Sequence, residues 1–323
     1  MNSKIGILIV NLGTPTQPTA KGVRDFLKAF LSDPRVIDLP AIPWQILLKT
    51  IILPLRCKRV AKNYQKIWTE QGSPLRVFSE ELVRALQAQT QECCFSLGMT
   101  YGEPSIKHAL LALKQKGVDK LLVLPLYPQY SSTTTASVFD AVTSAFSHCP
   151  NIPELRFVKD YHHHPLYIEA LANQVNRHHD AKNHDAHLLI SFHGLPERYC
   201  EKGDPYAQQC YQTATLLAEK LCLNKEQYSI CFQSRFGRAK WLEPSTENVV
   251  KTLAKDGKKR LSIICPGFAT DCLETLEEIA IGIKQLFLAQ GGDSFMYIPA
   301  LNDSKDQVLL MAALIKQNTQ DWR

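Results

Sequence analysis

Two residues in this sequence combine a reactive side chain with a setting that would hold it in place: His193 and Glu274. His193 closes the apolar run His187-Leu188-Leu189-Ile190-Ser191-Phe192, so a strand there would deliver its imidazole at a rigid carboxyl end. Gly194 then permits close backbone approach, and Gly203-Asp204-Pro205-Tyr206 reads as a turn into a helix that begins near Pro205. Glu274 lies in Asp271-Cys272-Leu273-Glu274-Thr275-Leu276-Glu277-Glu278, which opens a helix directly after a buried strand and puts Glu274 and Glu278 on one face. Acidic residues in a first turn commonly serve only the helix dipole. The apolar neighbours Phe268, Leu273 and Leu276 argue instead for a pocket. A carboxylate in such a pocket binds a divalent cation or, with a raised pKa, exchanges protons. A neutral imidazole and a carboxylate facing one cleft therefore suit metal delivery combined with proton removal.

The elements that must position these residues are legible along the chain. Short apolar runs bounded by Gly or Pro alternate with segments of helical period, the pattern of parallel βαβ units. Strands are predicted at Ile5–Leu12, Cys94–Tyr101, Lys120–Leu126, Leu155–Val158, His187–His193, Tyr228–Gln233, Arg260–Cys265 and Phe295–Ile298. Between them lie helices such as Val23–Leu31, with Val23, Phe26, Leu27, Phe30 and Leu31 in one apolar stripe. Ser79, Ser105 and Asp271 are predicted to cap three others.

LKQKGVDKLLVLPL from Leu113 and LAKDGKKRLSIICP from Leu253 look like copies, with Leu113, Gly117 and Leu121 each recurring 140 positions later. Each copy reads as a helix end, a Gly cap, a basic turn and a buried strand. The fold class expected is α/β with two similar halves, each a parallel sheet flanked by helices. The boundary is placed in the polar stretch Asn173 to Asp185, giving an N-terminal half of 1–175 and a C-terminal half of 176–303. A last helix within 304–323 has nothing after it to pair with and is expected to pack back on the first half. The unusual residues fall just past strand ends, at Asn11-Leu12-Gly13, Tyr127-Pro128-Gln129-Tyr130-Ser131, His193-Gly194, Gln233-Ser234 and Cys265-Pro266-Gly267-Phe268. Ligands in open α/β sheets bind outside the carboxyl ends of strands, so these loops are expected to line one cleft between the halves.

Composition narrows the function classes. The 37 Lys and Arg against 31 Asp and Glu give a net charge of +6, too diffuse for a nucleic-acid partner and compatible with an anionic ligand. No G-x-G-x-x-G follows the first strand and no G-x-x-x-x-G-K-[ST] occurs, which removes the usual support for nucleotide binding. Ten cysteines without one C-x-x-C pair exclude a zinc ribbon or thioredoxin-like motif and suit reduced thiols in a cytoplasmic protein. Ile5–Val10 reads as a strand rather than a signal peptide. Ile42–Leu53, interrupted by Pro43 and Lys49, is too short to cross a bilayer, so any membrane contact is peripheral. His162-His163-His164 is expected in an exposed loop, because three adjacent histidines cannot all face one site.

Four dispersed segments, SFHGLPERYCEKGDPY, QSRFGRAKWLEPST, CPGFATDCLETLEE and LYPQYSSTTTAS, together resemble the ferrochelatases, with similarity running from Asn11-Leu12-Gly13-Thr14-Pro15 to Tyr297–Asn302. The resemblance implies two Rossmann-like lobes with a porphyrin cleft between them. It implies a lyase that inserts ferrous iron into protoporphyrin IX as the last step of haem synthesis. Two pyrrole N–H protons leave as the metal enters, so a base and an open ligand set are needed. By that resemblance His193 and Glu274 are catalytic, and His193, Glu274 and Glu278 handle the metal. Trp241 would close the cleft, Tyr127 would be a pocket aromatic, and Arg56, Arg59, Tyr64 and Ser234 would lie near the propionates. Arg56, Lys58, Arg59 and Lys62 also read as the wet face of a helix whose Val60, Ala61, Tyr64 and Trp68 point inward.

The departures from the family pattern carry their own expectations. Cys272 stands where many members have His, and Gly282 where some have an acidic residue. Leu12 replaces the Tyr common in coproporphyrin-using members and favours protoporphyrin. Ser132 at the internal cluster position, with no Cys after Cys272, implies no iron–sulfur cluster, so no prosthetic group is expected and ferrous iron is a substrate. The expected location is cytoplasmic, with peripheral contact at the inner membrane surface through Ile42–Leu53 and no obligate protein partner. The competing readings are a coproporphyrin ferrochelatase, a cobalt chelatase of the same fold, and a non-catalytic haem-binding protein. Retention of both His193 and Glu274 argues against the last, since a carrier needs an axial ligand but no proton acceptor.

Overall fold

Aliphatic runs between Gly and Pro breakers become eight strands in the computed structural model, which describes residues 4–178, 185–237 and 239–322. Strands β1 (Lys4–Asn11), β2 (Cys93–Met99), β3 (Val118–Pro125) and β4 (Glu154–Phe157) form one sheet in the order β2-β1-β3-β4. Strands β5 (His187–His193), β6 (Tyr228–Gln233), β7 (Arg260–Ile264) and β8 (Ser294–Ile298) form another in the order β6-β5-β7-β8. Every pairing is parallel. All eight strands expected from the sequence are present, with ends shifted by at most two residues. Parallel strands are covered on both faces by their crossover helices. Ile7, Leu8, Ile9 and Val10 of β1 are accordingly all fully buried.

The chain divides into two compact units. One comprises Met1–Tyr127, Ser131–Lys159 and Asp303–Arg323, and the other Pro128–Tyr130 and Asp160–Asn302. Leu8, Val10, Leu110, Leu121, Val123 and Val138 are central to the core of the first. Leu189, Val250, Leu261, Ile263, Ile279 and Phe287 play that part in the second. Residues 160–175, grouped with the N-terminal half from the sequence, fall in the second unit. Their helix, Pro165–His178, packs on the helix Tyr206–Lys220, and Gln174 Nε2 donates to the Pro299 carbonyl at 3.0 Å. Of the polar stretch expected to part the halves, Asn173 to His178 are helical, and 179–184, with His179 and His184, lie outside the described residues.

The two sheets share one strand order, and the sequence copies occupy equivalent places in it. The first runs from the helix Ile106–Gln115 into β3, and the second from the helix Thr246–Lys255 into β7. Gly117 at φ 77° and Gly257 at φ 79° end the two helices in the left-handed conformation that glycine adopts without a Cβ penalty. Ser105 and Ser245, also 140 positions apart, cap the helix starts by accepting from the His108 and Asn248 N–H groups. Ser79 does not cap. It lies inside the helix Pro74–Gln89, where its Oγ donates to the Leu75 carbonyl at 2.6 Å and accepts from Asn11 Nδ2 at 3.0 Å.

The C-terminal helix Lys305–Thr319, capped by Ser304, belongs to the first unit and packs against the helix Pro74–Gln89. Its Val308, Leu310, Met311, Leu314 and Ile315 are buried, each worth roughly 1.5–3 kcal/mol. Beyond it, Arg156 binds both Asp321 oxygens, at 2.5 and 2.6 Å, and lies over the Trp322 ring. The apolar segment near residue 42 forms a helix Ala41–Leu47, a π-helical turn Leu48–Ile52 and a helix Leu53–Ile67. Ile42, Ile46, Ile51 and Leu55 there are exposed, Ile42 by 78%. No helix among the described residues is long and apolar enough to cross a membrane.

Candidate active site

A strand order of this kind has a switch point, where the connections leave neighbouring strands in opposite directions, and ligands bind outside the carboxyl ends there. In the second unit the switch lies between β5 and β7. His193 ends β5, and Cys265-Pro266-Gly267-Phe268 follows β7. In the first unit it lies between β1 and β3, where Leu12 follows β1 and Tyr127 follows β3. Each sheet thus offers its sequence-predicted residues at its own switch point.

The half-buried His193 ring is fixed by short contacts. Nδ1 lies 2.7 Å from the Gly194 carbonyl, which can only accept, so Nδ1 carries the proton and Nε2 is left as the basic nitrogen. The ring meets Phe268 edge to face at 6.2 Å, and the His193 carbonyl accepts from the Tyr206 hydroxyl at 3.0 Å. A side chain at position 194 has no room. Its Cβ would lie 2.6 Å from the Gln233 carbonyl oxygen and 3.1 Å from Trp241 Cε3. Trp241 thus lies close beside the glycine, with its Nε1 donating to the Phe236 carbonyl at 2.9 Å.

Glu274 begins a π-helix that extends to Ile283. Its i→i+5 bonds widen the turn, a geometry that recurs at functional sites. Buried Asp271 anchors the approach: one carboxylate oxygen accepts from the Thr275 Oγ1 at 2.9 Å and from the Tyr297 hydroxyl, the other from Asn302 Nδ2 at 2.7 Å. Gln233, at the end of β6, donates to the Glu274 carbonyl at 3.0 Å and accepts from the Ser191 hydroxyl at 2.9 Å. These two residues hold the Glu274 turn to the sheet, and the sequence marks them only as a strand-end Gln and a helix-start Asp.

Glu278 is bound by Ser234, whose N–H and Oγ donate to the two carboxylate oxygens at 2.7 and 2.6 Å. Burial pushes the Glu278 carboxyl above the ordinary carboxylate range. The Ser234 bonds and the His193 charge pull it back down, and Glu274 pushes it up. His193, Glu274 and Glu278 consequently share one electrostatic neighbourhood. Ser234, expected beside propionates, is spent on Glu278. Cys272 is buried, and burial and the adjacent Glu274 push its thiol well above the usual range.

The remaining expected residues sit in the first unit. Arg56, Arg59 and Tyr64 lie on the helix Leu53–Ile67. Tyr64 is buried on its inner face with Cys57 and Ala61 and meets Trp68 edge to face. Arg59 is exposed and Arg56 half-buried, and burial together with the Arg59 charge lowers the Arg56 pKa. The Tyr127 hydroxyl is enclosed, and burial raises its pKa. Contrary to the exposed-loop reading of the three histidines, His162 is only 5% exposed.

The comparisons with known proteins agree with one another. The family model described as Ferrochelatase matches residues 4–319. A protein named Ferrochelatase from Aeromonas hydrophila subsp. hydrophila is 51% identical over 319 residues, covering 98% of each chain. Ferrochelatase 1 of Shewanella oneidensis is 51% identical over 322 residues, covering 98% of this chain and 96% of that one. Among solved structures, SirB from Bacillus subtilis with Fe3+ superposes with a TM-score of 0.62 at 12% identity, over 98% of this chain and 97% of that one, a likeness of fold alone.

Proposed function

This chain belongs to the ferrochelatase family and inserts iron into a porphyrin in haem synthesis, and from that premise we propose that its porphyrin is protoporphyrin IX and that the reaction runs through His193, Glu274 and Glu278. The observation that carries the assignment of roles is the placement of Glu278, held by Ser234 beyond the end of β6, within electrostatic reach of both His193 and Glu274. With Nδ1–H committed to the Gly194 carbonyl, His193 Nε2 accepts a pyrrole proton as ferrous iron enters. Glu274 accepts or relays the second. Glu278, held ready by Ser234, passes the ion or the proton onward, and its raised pKa brings it nearer the working pH of a relay.

In the first unit Leu12 favours the protoporphyrin periphery, Tyr127 offers aromatic surface, and Arg56 and Arg59 supply positive charge for propionates, and in the second Trp241 offers a further aromatic surface. The exposed Ile42, Ile46, Ile51 and Leu55 support peripheral membrane contact, where the apolar substrate and product partition. The ten cysteines act as thiols rather than as ligands of an iron–sulfur cluster. Anaerobic assay of ferrous iron insertion into protoporphyrin IX and coproporphyrin III tests the assignment. A higher kcat/KM for protoporphyrin supports it, and a preference for coproporphyrin overturns it.

A further inference from the structure

The segment that leads into the helix Pro165–His178 gathers three metal-ligating side chains that the proposed reaction does not use. One carboxylate oxygen of Asp160 and one ring nitrogen each of His162 and His163 lie within 4.8 Å of one another. His162 Nδ1 is 2.8 Å from Asp160 Oδ1 and 3.5 Å from His163 Nδ1. An ion bound at about 2.0–2.1 Å in tetrahedral geometry spaces its ligand atoms by roughly 3.3 Å. The observed spacings bracket that value, so small side-chain rotations suffice.

The surroundings of His162 are those of a ligand. Its Nε2 faces the Gln212 Oε1 at 2.9 Å. A neutral imidazole has one N–H, and here both of its nitrogens face acceptors. If Nε2–H donates to Gln212, Nδ1 presents a lone pair toward Asp160 and His163, and a cation among the three resolves the clash of acceptors. A ring nitrogen committed to an outer oxygen while the other binds metal is the usual histidine arrangement. Gln209 Nε2, at 3.3 Å, donates to the second Asp160 oxygen and orients it. His162 is buried while His163 is exposed, which leaves one side open for an ion to enter and leave.

We propose that Asp160, His162 and His163 form a second divalent-cation site that takes a borderline ion such as Zn2+, Co2+ or Fe2+. Two imidazoles and one carboxylate match the preference of such ions over Mg2+ or Ca2+. The site shares the helix Tyr206–Lys220 with the reaction centre. Tyr206 bonds His193, and Gln212, six residues on, or about 9 Å along the axis, bonds His162.

Co2+ alone is the probe, followed by its visible absorption and by equilibrium dialysis on the full chain. The wild type should bind one more equivalent than His163→Ala, or bind it at least tenfold more tightly. His163 is exposed, so this variant should keep its fold, and its rate of iron insertion should be unchanged. Gln212→Glu should retain the equivalent, because a carboxylate still accepts from Nε2–H. Equal Co2+ stoichiometry and affinity in wild type and His163→Ala overturns the site. Loss of binding in Gln212→Glu also overturns it, since Nε2 would then be the acceptor and Nδ1–H would be spent on Asp160.

Discussion

Both oxygens of the Glu278 carboxylate are held by one residue, Ser234, through its backbone N–H and its hydroxyl. Ser234 adopts φ 63°, a left-handed conformation that aims both donors at one acceptor group. Hydrogen bonds to a charged group contribute about 1.5–3 kcal/mol each. Ser234→Ala removes one of the two and leaves the effect of burial less opposed, so the Glu278 carboxyl rises further. The acid limb of kcat/KM against pH should move to higher pH. Ser234→Gly should move it equally while easing the backbone. A limb that stays in place in both variants would detach Ser234 from the mechanism.

The three carboxylates of the π-helix should differ in kind. Glu274→Gln should collapse kcat with little change in stability, Glu278→Gln should raise the iron KM more than the porphyrin KM, and Glu277→Gln should do little. Glu278→Gln should also alter stability with pH. A carboxyl with a raised native pKa binds its proton more tightly in the fold, so that stability is complete below the unfolded pKa and is lost as pH rises through the native one. The substitution removes that pH dependence, so the fall in Tm from low to neutral pH should be smaller than in the wild type. Thermal melts across pH, with steady-state kinetics, decide both points.

His193→Ala removes the ring whose Nδ1 is held by the Gly194 carbonyl and whose Nε2 is the proposed base. Turnover should fall by roughly 10²-fold or more. Porphyrin binding, followed by fluorescence quenching, should persist. Activity above half of wild type would remove His193 from proton transfer.

Gly194→Ala places a methyl 2.6 Å from a fixed carbonyl oxygen and 3.1 Å from the Trp241 ring. The carbonyl cannot yield, because it accepts from the Gly194 N–H in the strand-end pairing. A cost of about 1–3 kcal/mol is expected, with displaced Trp241 emission and lower kcat. Unchanged emission and Tm would show that the loop absorbs the methyl without moving the indole.

Replacing both Arg56 and Arg59 with Ala should raise the porphyrin KM more than it lowers kcat, as loss of uniform binding does. The effect should shrink for a porphyrin esterified at its propionates. An unchanged KM would return the pair to the solvated face of their helix.

The sequence by itself determined the eight strands, the repeated half and the family. Strand length, Gly and Pro punctuation and four ordered motifs are local properties, readable without knowing what touches what. Even the Glu-Pro-Ser of 103–105, which recurs at 243–245, carries the same cap in both sheets. His193 and Glu274 were legible because a strand end and a helix start fix where a side chain begins. Tertiary structure alone decided the rest. The pairing of Ser234 with Glu278 and of Gln233 with Glu274 joins residues 44 and 41 apart, set by the register of β6 beside β5. An apolar period cannot tell i→i+4 from i→i+5 bonding, so the π-helix at Glu274 was invisible. The burial of His162 follows from the packing of Pro165–His178 on Tyr206–Lys220 in the second unit. A run of three histidines reads as a wet loop until the helix that covers one of them is in place.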